Sequence, residues 1–210
     1  MSLAHHPSED LLLDLAAGRL ERGPTLVLRA HLHACSVCGA EAGRFEAVGG
    51  ALLDTLPPAA LEEDALAHAL ARIETPPPAP PPSAKIRVDL PEIVASEDLG
   101  PRRWLMPGLW IRRIEPKAGS RFNTYLLHSG PGRRLPRHGH VGVEYVCVLQ
   151  GAFADETGRY GPGDFALGDE ELEHSPLAEP GEACLCLIST EGRLQMRGLI
   201  ARTIQPFVGV

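Results

Sequence analysis

Thr75-Pro76-Pro77-Pro78-Ala79-Pro80-Pro81-Pro82-Ser83 divides this chain into two stretches with different periodicities. Its prolines lack backbone donors and hold φ near −65°, which forbids helix and favours polyproline II. At about 3.1 Å per residue the run makes a semi-rigid spacer of roughly 20 Å. It implies a domain boundary, with residues 1–75 before it, a linker at 76–84 and residues 85–210 after it. Such a spacer lets the two parts act at a distance without sharing a core.

Upstream, the apolar residues recur with a helical period. Ser8 stands as an N-cap before Leu11-Leu12-Leu13-Asp14-Leu15-Ala16-Ala17, which Gly18 ends. A second helix is expected from Pro24-Thr25 to about Cys38. A third, Ala40 to Leu56, would bury Phe45, Val48, Leu52, Leu53 and Leu56. A fourth, Leu61 to Ile73, would gather Leu61, Leu66, Leu70 and Ile73 on one side. Inside the second lies His31-Leu32-His33-Ala34-Cys35-Ser36-Val37-Cys38. Positions 31, 35 and 38 share one helical face, and two soft sulfurs with an imidazole suit a divalent metal, zinc above all. His33 points away. The plainer alternative is a pair of core cysteines. A fourth ligand must come from elsewhere, and His5 and His6 both stand just before the first helix. Short helices with a modest core would gain needed stability from a structural metal.

Downstream the pattern becomes strand-like. Strands are expected at Lys85–Val88, Leu109–Ile114, Phe122–Leu127, Glu144–Leu149, Ala152–Asp155, Asp164–Leu167, Ala183–Ser189 and Leu199–Ile204, with Gly and Pro in most gaps. Short, evenly spaced strands with such turns indicate an all-β sandwich or barrel. Gly132-x5-His138-x-His140-x3-Glu144-x6-Gly151 places His138, His140 and Glu144 at one parity, so an extended strand projects them to one face. His174, after Gly161-Pro162-Gly163-Asp164, is the fourth candidate. Three imidazoles and a carboxylate suit Zn, Fe, Mn, Ni or Cu. Cys184 and Cys186 share a face and read either as core residues or as an oxidisable pair near that metal. Cys147, of opposite parity, should face away from it. His68 and His128 read as solvated or core residues.

Composition narrows the class. Hydrophobic residues at 44% and charged residues at 22% are those of a soluble globular protein. No apolar run approaches the roughly 18 residues of a membrane span, and the N-terminus lacks a basic leader, so no membrane role is expected. Five cysteines, two of them in a metal-like pattern, point to a reducing cytoplasm. Of the net charge of −7, residues 1–80 carry −6 and residues 81–210 only −1. An acidic first half repels a phosphate backbone, which argues against direct nucleic-acid binding, and it suits a basic protein partner.

Residues 132–174 resemble the two motifs of the cupin superfamily, whose members are jelly-roll β-barrels with a metal inside. The first motif matches at each anchor. The second keeps Gly161-Pro162-Gly163, but His174 lies farther downstream than usual, and Ala178 stands where Asn is common. Residues 5–75 resemble the zinc-binding anti-sigma domain, an N-terminal His followed by His-x3-Cys-x2-Cys, which falls on His6, His31, Cys35 and Cys38. In this order the two resemble the ChrR-type zinc-binding anti-sigma factors. That resemblance implies an α + β two-domain protein: a small zinc-binding helical bundle, then a C-terminal cupin barrel. It implies Zn2+ in the first domain and a divalent metal, Zn2+ foremost, in the cupin. It further implies that residues 1–75 hold an extracytoplasmic-function sigma factor, released when the cupin senses singlet oxygen or organic peroxide, with Cys184 and Cys186 as redox candidates. The competing expectation is a cupin metalloenzyme, of dioxygenase or isomerase type, with an appended zinc domain.

Overall fold

Four helices lead into the β half. The computed structural model describes residues 3–74, 91–115, 119–192 and 195–196; the proline spacer and the strands expected at Lys85–Val88 and Leu199–Ile204 lie outside them. Helix α1 (Glu9–Ala16) starts where expected, with the Ser8 hydroxyl accepting the Leu11 N–H at 3.4 Å. Gly18 ends it at φ +66°, a conformation that glycine adopts without steric penalty. α2 (Arg22–Ala34), α3 (Ser36–Asp54) and α4 (Ala65–Glu74) follow.

Two helical expectations need correcting. The His31–Cys38 stretch is not one continuous helix: Cys35 sits at φ −114°, ψ 99°, so the chain breaks between α2 and α3. Cys38, in the first turn of α3, donates its N–H to Cys35 Sγ at 3.5 Å, which caps the new helix. Second, the apolar faces expected to be buried on α3 and α4 face outward. Val48, Leu52, Leu53 and Leu56 are 60–68% exposed, and Leu61, Leu66, Leu70 and Ile73 are 52–83% exposed. Only the start of α3 is covered, where Phe45 packs towards Leu12, Cys35 and Cys38.

The β half begins with a single helical turn, α5 (Glu92–Ala95). It continues through β1 (Arg103–Met106), β2 (Leu109–Ile114), β3 (Phe122–Ser129), β4 (His138–Gly139), β5 (Glu144–Gln150), β6 (Phe153–Asp155), β7 (Gly158–Tyr160), β8 (Phe165–Gly168), β9 (Leu177–Ala178), β10 (Cys184–Glu191) and β11 (Gln195–Met196). The larger sheet runs β1-β2-β3-β10-β5-β8, antiparallel throughout. Facing it are the three-stranded β7-β6-β9 and the pair β11-β4. This is the expected antiparallel cupin-like fold after N-terminal helices. Several strands too short to show an alternation, β4 and β9 among them, were not expected.

Alternation along β10 explains both cores. Cys184, Cys186 and Ile188 turn inward with Tyr125, Val146 and Val148, against Phe153, Tyr160 and Ala178 of the smaller sheet. Leu185 and Leu187 turn outward with Trp110, Leu126 and Cys147, and there they meet Leu26, Val27, Leu28 and Ala30 of α2. The second contact corrects the expectation that the two parts do not share a core. A two-turn α1 and a largely exposed α3 offer α2 too little cover, so its apolar face lies on the outer face of the sheet. Each buried Leu or Val there contributes about 1.5–3 kcal/mol. The Arg22–Glu97 and Arg121–Glu21 ion pairs tie the start of α2 to the β half.

The closest approach is at Gly23, where an added methyl would collide with the hydroxyls of Ser189 and Thr124. Those hydroxyls are buried and 3.2 Å apart, so neither can yield without losing its partner. Gly23→Ala should therefore destabilise the chain by about 1–3 kcal/mol, by overpacking. Urea unfolding followed by tryptophan fluorescence, with both tryptophans in the β half, measures it.

Candidate metal centres

The break at Cys35 is what assembles the first centre. His31 comes from the last turn of α2, Cys35 from the break and Cys38 from the first turn of α3. His6 arrives from the segment before α1, with Nδ1 at 3.4 Å from Cys35 Sγ and 3.3 Å from Cys38 Sγ. One ligand atom from each of the four lies within 4.8 Å of the others. A tetrahedral zinc ion with Zn–S near 2.3 Å and Zn–N near 2.0 Å keeps its ligands roughly 3.3–3.8 Å apart, so the donor set fits. His31 gives a further reason. Its Nδ1–H donates to the Gly163 carbonyl at 2.7 Å, while its buried Nε2 has no hydrogen-bond partner among the described residues. That nitrogen therefore carries a lone pair, the form a metal needs.

His5 does not join this set. Its Nε2 is 3.0 Å from the Arg159 carbonyl, and its ring lies 4.3 Å from that of Tyr160. The alternative left open between neighbouring histidines thus falls to His6. Burial, then the adjacent Cys35, push the Cys38 thiol up to about 12. A bound cation reverses this by pairing with the thiolate.

The second centre sits on the inner face of the barrel. His138, His140, Glu144 and His174 are all buried, and their ligand atoms lie within 4.8 Å of one another. His174 Nε2 is 3.1 Å from His138 Nε2 and 3.2 Å from His140 Nε2, and Glu144 lies 3.8 Å from His140. His174 reaches the group although it lies late in the sequence, because it bridges back to His138 across the strands. Two hydrogen bonds show why these nitrogens face one another. His138 Nδ1–H donates to the Pro136 carbonyl at 2.8 Å, and His174 Nδ1–H donates to Asp155 at 2.7 Å. With both Nδ1 protons so placed, the converging Nε2 atoms are lone pairs that repel each other, and a cation between them removes the conflict.

Electrostatics agree with that reading. Burial holds His138 and His140 down to about 4, so both imidazoles are neutral near pH 7. Burial pushes Glu144 up to about 7. Burial alone would also raise Asp155, but hydrogen bonds from His174 and Thr157 hold it down to about 2. Asp155 is a candidate site residue that sequence reasoning missed. It lies on β6, between the two motifs and part of neither, and the pairing of β6 with β9 brings it near His174.

Beside this centre the barrel holds a partly open cavity of about 100 Å³. His138, Glu144 and His174 form part of its otherwise mostly apolar wall, which Cys184 and Cys186 also reach. The two sulfurs are 3.6 Å apart. Cys186 is held well above the usual thiol value by Cys184 and by burial. Cys147 lies on the opposite, α2-facing side. His128 stacks on Trp110 at 4.8 Å, and His68 is exposed beside Asp64.

Comparison with known proteins accounts for nearly the whole chain. Residues 93–193 match the family described as the ChrR Cupin-like domain. The anti-sigma-E factor ChrR of Cereibacter sphaeroides is 38% identical over 213 residues, covering 99% of each chain. Among solved structures, the crystal structure of Rhodobacter sphaeroides SigE in complex with the anti-sigma ChrR contains a chain with a TM-score of 0.74 at 38% identity. That match covers 90% of the present chain and 100% of the other.

The two centres should respond differently to pH. Metal binding must displace a proton from Cys38 throughout the neutral range, so affinity at the first centre should climb about tenfold or more per pH unit. At the second, burial puts Glu144 near 7 and His138 and His140 near 4, so affinity should rise to neutrality and level off above about pH 8. Chelator competition across pH separates the two. Removing the carboxylate behind His174, as Asp155→Asn, should weaken the barrel site roughly 10- to 100-fold in the same assay.

Proposed function

This chain belongs to the ChrR family of anti-sigma factors, and from that premise we propose that residues 1–75 hold an extracytoplasmic-function sigma factor away from RNA polymerase. The observation that carries this reading is the apolar face left uncovered on α3 and α4. Leu52, Leu53, Leu66 and Ile73 are 64–80% exposed, in a stretch, residues 36–74, that holds seven Asp/Glu against two Arg. Large apolar side chains exposed at helical spacing mark an interaction site, and acidic surroundings favour a basic partner. The relative whose structure was solved with SigE is a precedent for that class of partner. The acidic half disfavours direct binding of nucleic acid, and no helix among the described residues is long and apolar enough to cross a membrane. A reducing cytoplasm suits both the two thiols of the first centre and such a partner. The protein is then a regulator and not an enzyme.

In this proposal His6, His31, Cys35 and Cys38 bind a structural Zn2+. Four protein ligands close the site, and its contribution is to stability. His138, His140, Glu144 and His174 hold a second divalent metal, Zn2+ foremost, inside residues 85–210, with residues 76–84 as the linker. That part senses the oxidative signal, singlet oxygen or organic peroxide, and governs release. Cys184 and Cys186 are the proposed oxidisable pair. An organic hydroperoxide would oxidise the two thiols to a disulfide, leaving the corresponding alcohol and water.

A second reading is favoured by one observation, the cavity beside the barrel centre. A cupin metalloenzyme of dioxygenase or isomerase type would bind its substrate there, and turnover with Fe or Mn in the barrel would support it.

Co-expression with the neighbouring sigma factor separates these readings. Size exclusion and metal analysis should show a 1:1 complex carrying two metal equivalents, and Cys35→Ala should lose capture of the sigma factor. Full capture by that variant would sink the structural-zinc reading. With the wild-type complex, organic hydroperoxide should free the sigma factor, and Cys184→Ser combined with Cys186→Ser should leave it bound. Equal release from both complexes would remove the thiols from the mechanism.

A further inference from the structure

The turn Gly161-Pro162-Gly163-Asp164, before β8, touches the first metal centre although it belongs to the barrel. Asp164 is 5% exposed, and its carboxylate faces two ways. Oδ2 accepts the Gly161 N–H at 2.9 Å, closing the turn. Oδ1 accepts the N–H groups of Ala4 at 2.8 Å and His5 at 3.1 Å. One residue on, the Phe165 N–H donates to the His5 carbonyl at 3.1 Å. The segment Leu3 to His5 is thus fastened to the turn at three points, directly before His6 meets Cys35 and Cys38.

The same turn also holds the other histidine. The Gly163 carbonyl receives the His31 Nδ1–H at 2.7 Å, which sets the ring's tautomer and aims Nε2 at the sulfurs. Gly163 adopts φ +89°, and a methyl there would lie 2.8 Å from Leu3 and 2.9 Å from Ala34, so the turn and the two helical-half segments fit against bare backbone. Both imidazoles of the centre therefore take their placement from the barrel, while both thiols are placed by α2 and α3.

We propose that the Gly161–Asp164 turn is the outer shell of the first metal centre, with Asp164 as a positioning residue that raises zinc affinity in a domain it does not belong to. This rests on the reading of His6, His31, Cys35 and Cys38 as zinc ligands. Partners that orient ligands in this way typically account for roughly 10- to 100-fold in metal affinity. Linkage makes the effect reciprocal: zinc in the helical half tightens the clamp on the turn by the same factor. A change in the barrel that moves this turn then reaches the zinc site through hydrogen bonds alone.

Cobalt(II) titration of the full chain tests this. A thiolate–cobalt charge-transfer band reports the Cys2His2 centre, because His138, His140, Glu144 and His174 supply no sulfur. Asp164→Ala should bind cobalt roughly 10- to 100-fold more weakly at that band. Asp164→Asn, which retains an oxygen for Ala4 and His5, should fall between it and wild type. Near-UV circular dichroism of Trp104 and Trp110 reports whether the barrel is still folded. Wild-type affinity in Asp164→Ala with that spectrum intact overturns the proposal. If Asp164→Ala unfolds the barrel, Asp164→Asn decides: intermediate affinity supports the outer-shell role, and wild-type affinity overturns it. A wild-type chain with no thiolate–cobalt band would instead remove the zinc reading on which the proposal stands.

Discussion

Helix α2 has one surface large enough to bury Leu26, Val27 and Leu28, and that surface is the outer face of the six-stranded sheet. Much else depends on that contact. It draws Gly23 against Ser189 and Thr124, and it carries His31 to the turn before β8. It also gives β10 two buried faces, which is why Cys184-Leu185-Cys186-Leu187-Ile188 reads as an unbroken apolar run without a polar side. Helices this short could not enclose a core of their own, and the barrel completes it.

The two candidate metal centres follow one rule with different donors. In each, an imidazole donates Nδ1–H to a fixed oxygen so that Nε2 converges on its neighbours: Gly163 behind His31, Pro136 behind His138 and Asp155 behind His174. Orientation is thereby set before any ion arrives, which lowers the entropy lost on binding. The donors then differ in kind. Two thiols close the first set against other ligands, whereas three imidazoles and one carboxylate beside a cavity leave room at the second.

Much of this could be read from the chain. Short spacing flagged His31, Cys35 and Cys38, and likewise His138, His140 and Glu144, but neither run is the single helix or strand expected: Cys35 breaks the helix, and a turn through Gly142 at φ +82° parts β4 from β5. What escaped was non-local. The break at Cys35 depends on helix packing, and Asp155 and Asp164 act across pairings that no short window contains. Burial of α3 and α4 was misjudged for a related reason. A helical stripe of Val48, Leu52, Leu66 and Leu70 states that something covers it, but not that the cover is part of the same chain. The proline run invited the opposite error: a spacer permits separation without enforcing it, and the apolar face of α2 decided otherwise.

The uncovered stripe on α3 and α4 also constrains the life of the free protein. Leucines and isoleucine at more than half exposure, on helices with little tertiary support, make a surface prone to self-association and a backbone open to proteases. A partner that covers the stripe protects it in the manner of a chaperone. A chain without that cover keeps both liabilities for as long as those residues stay exposed.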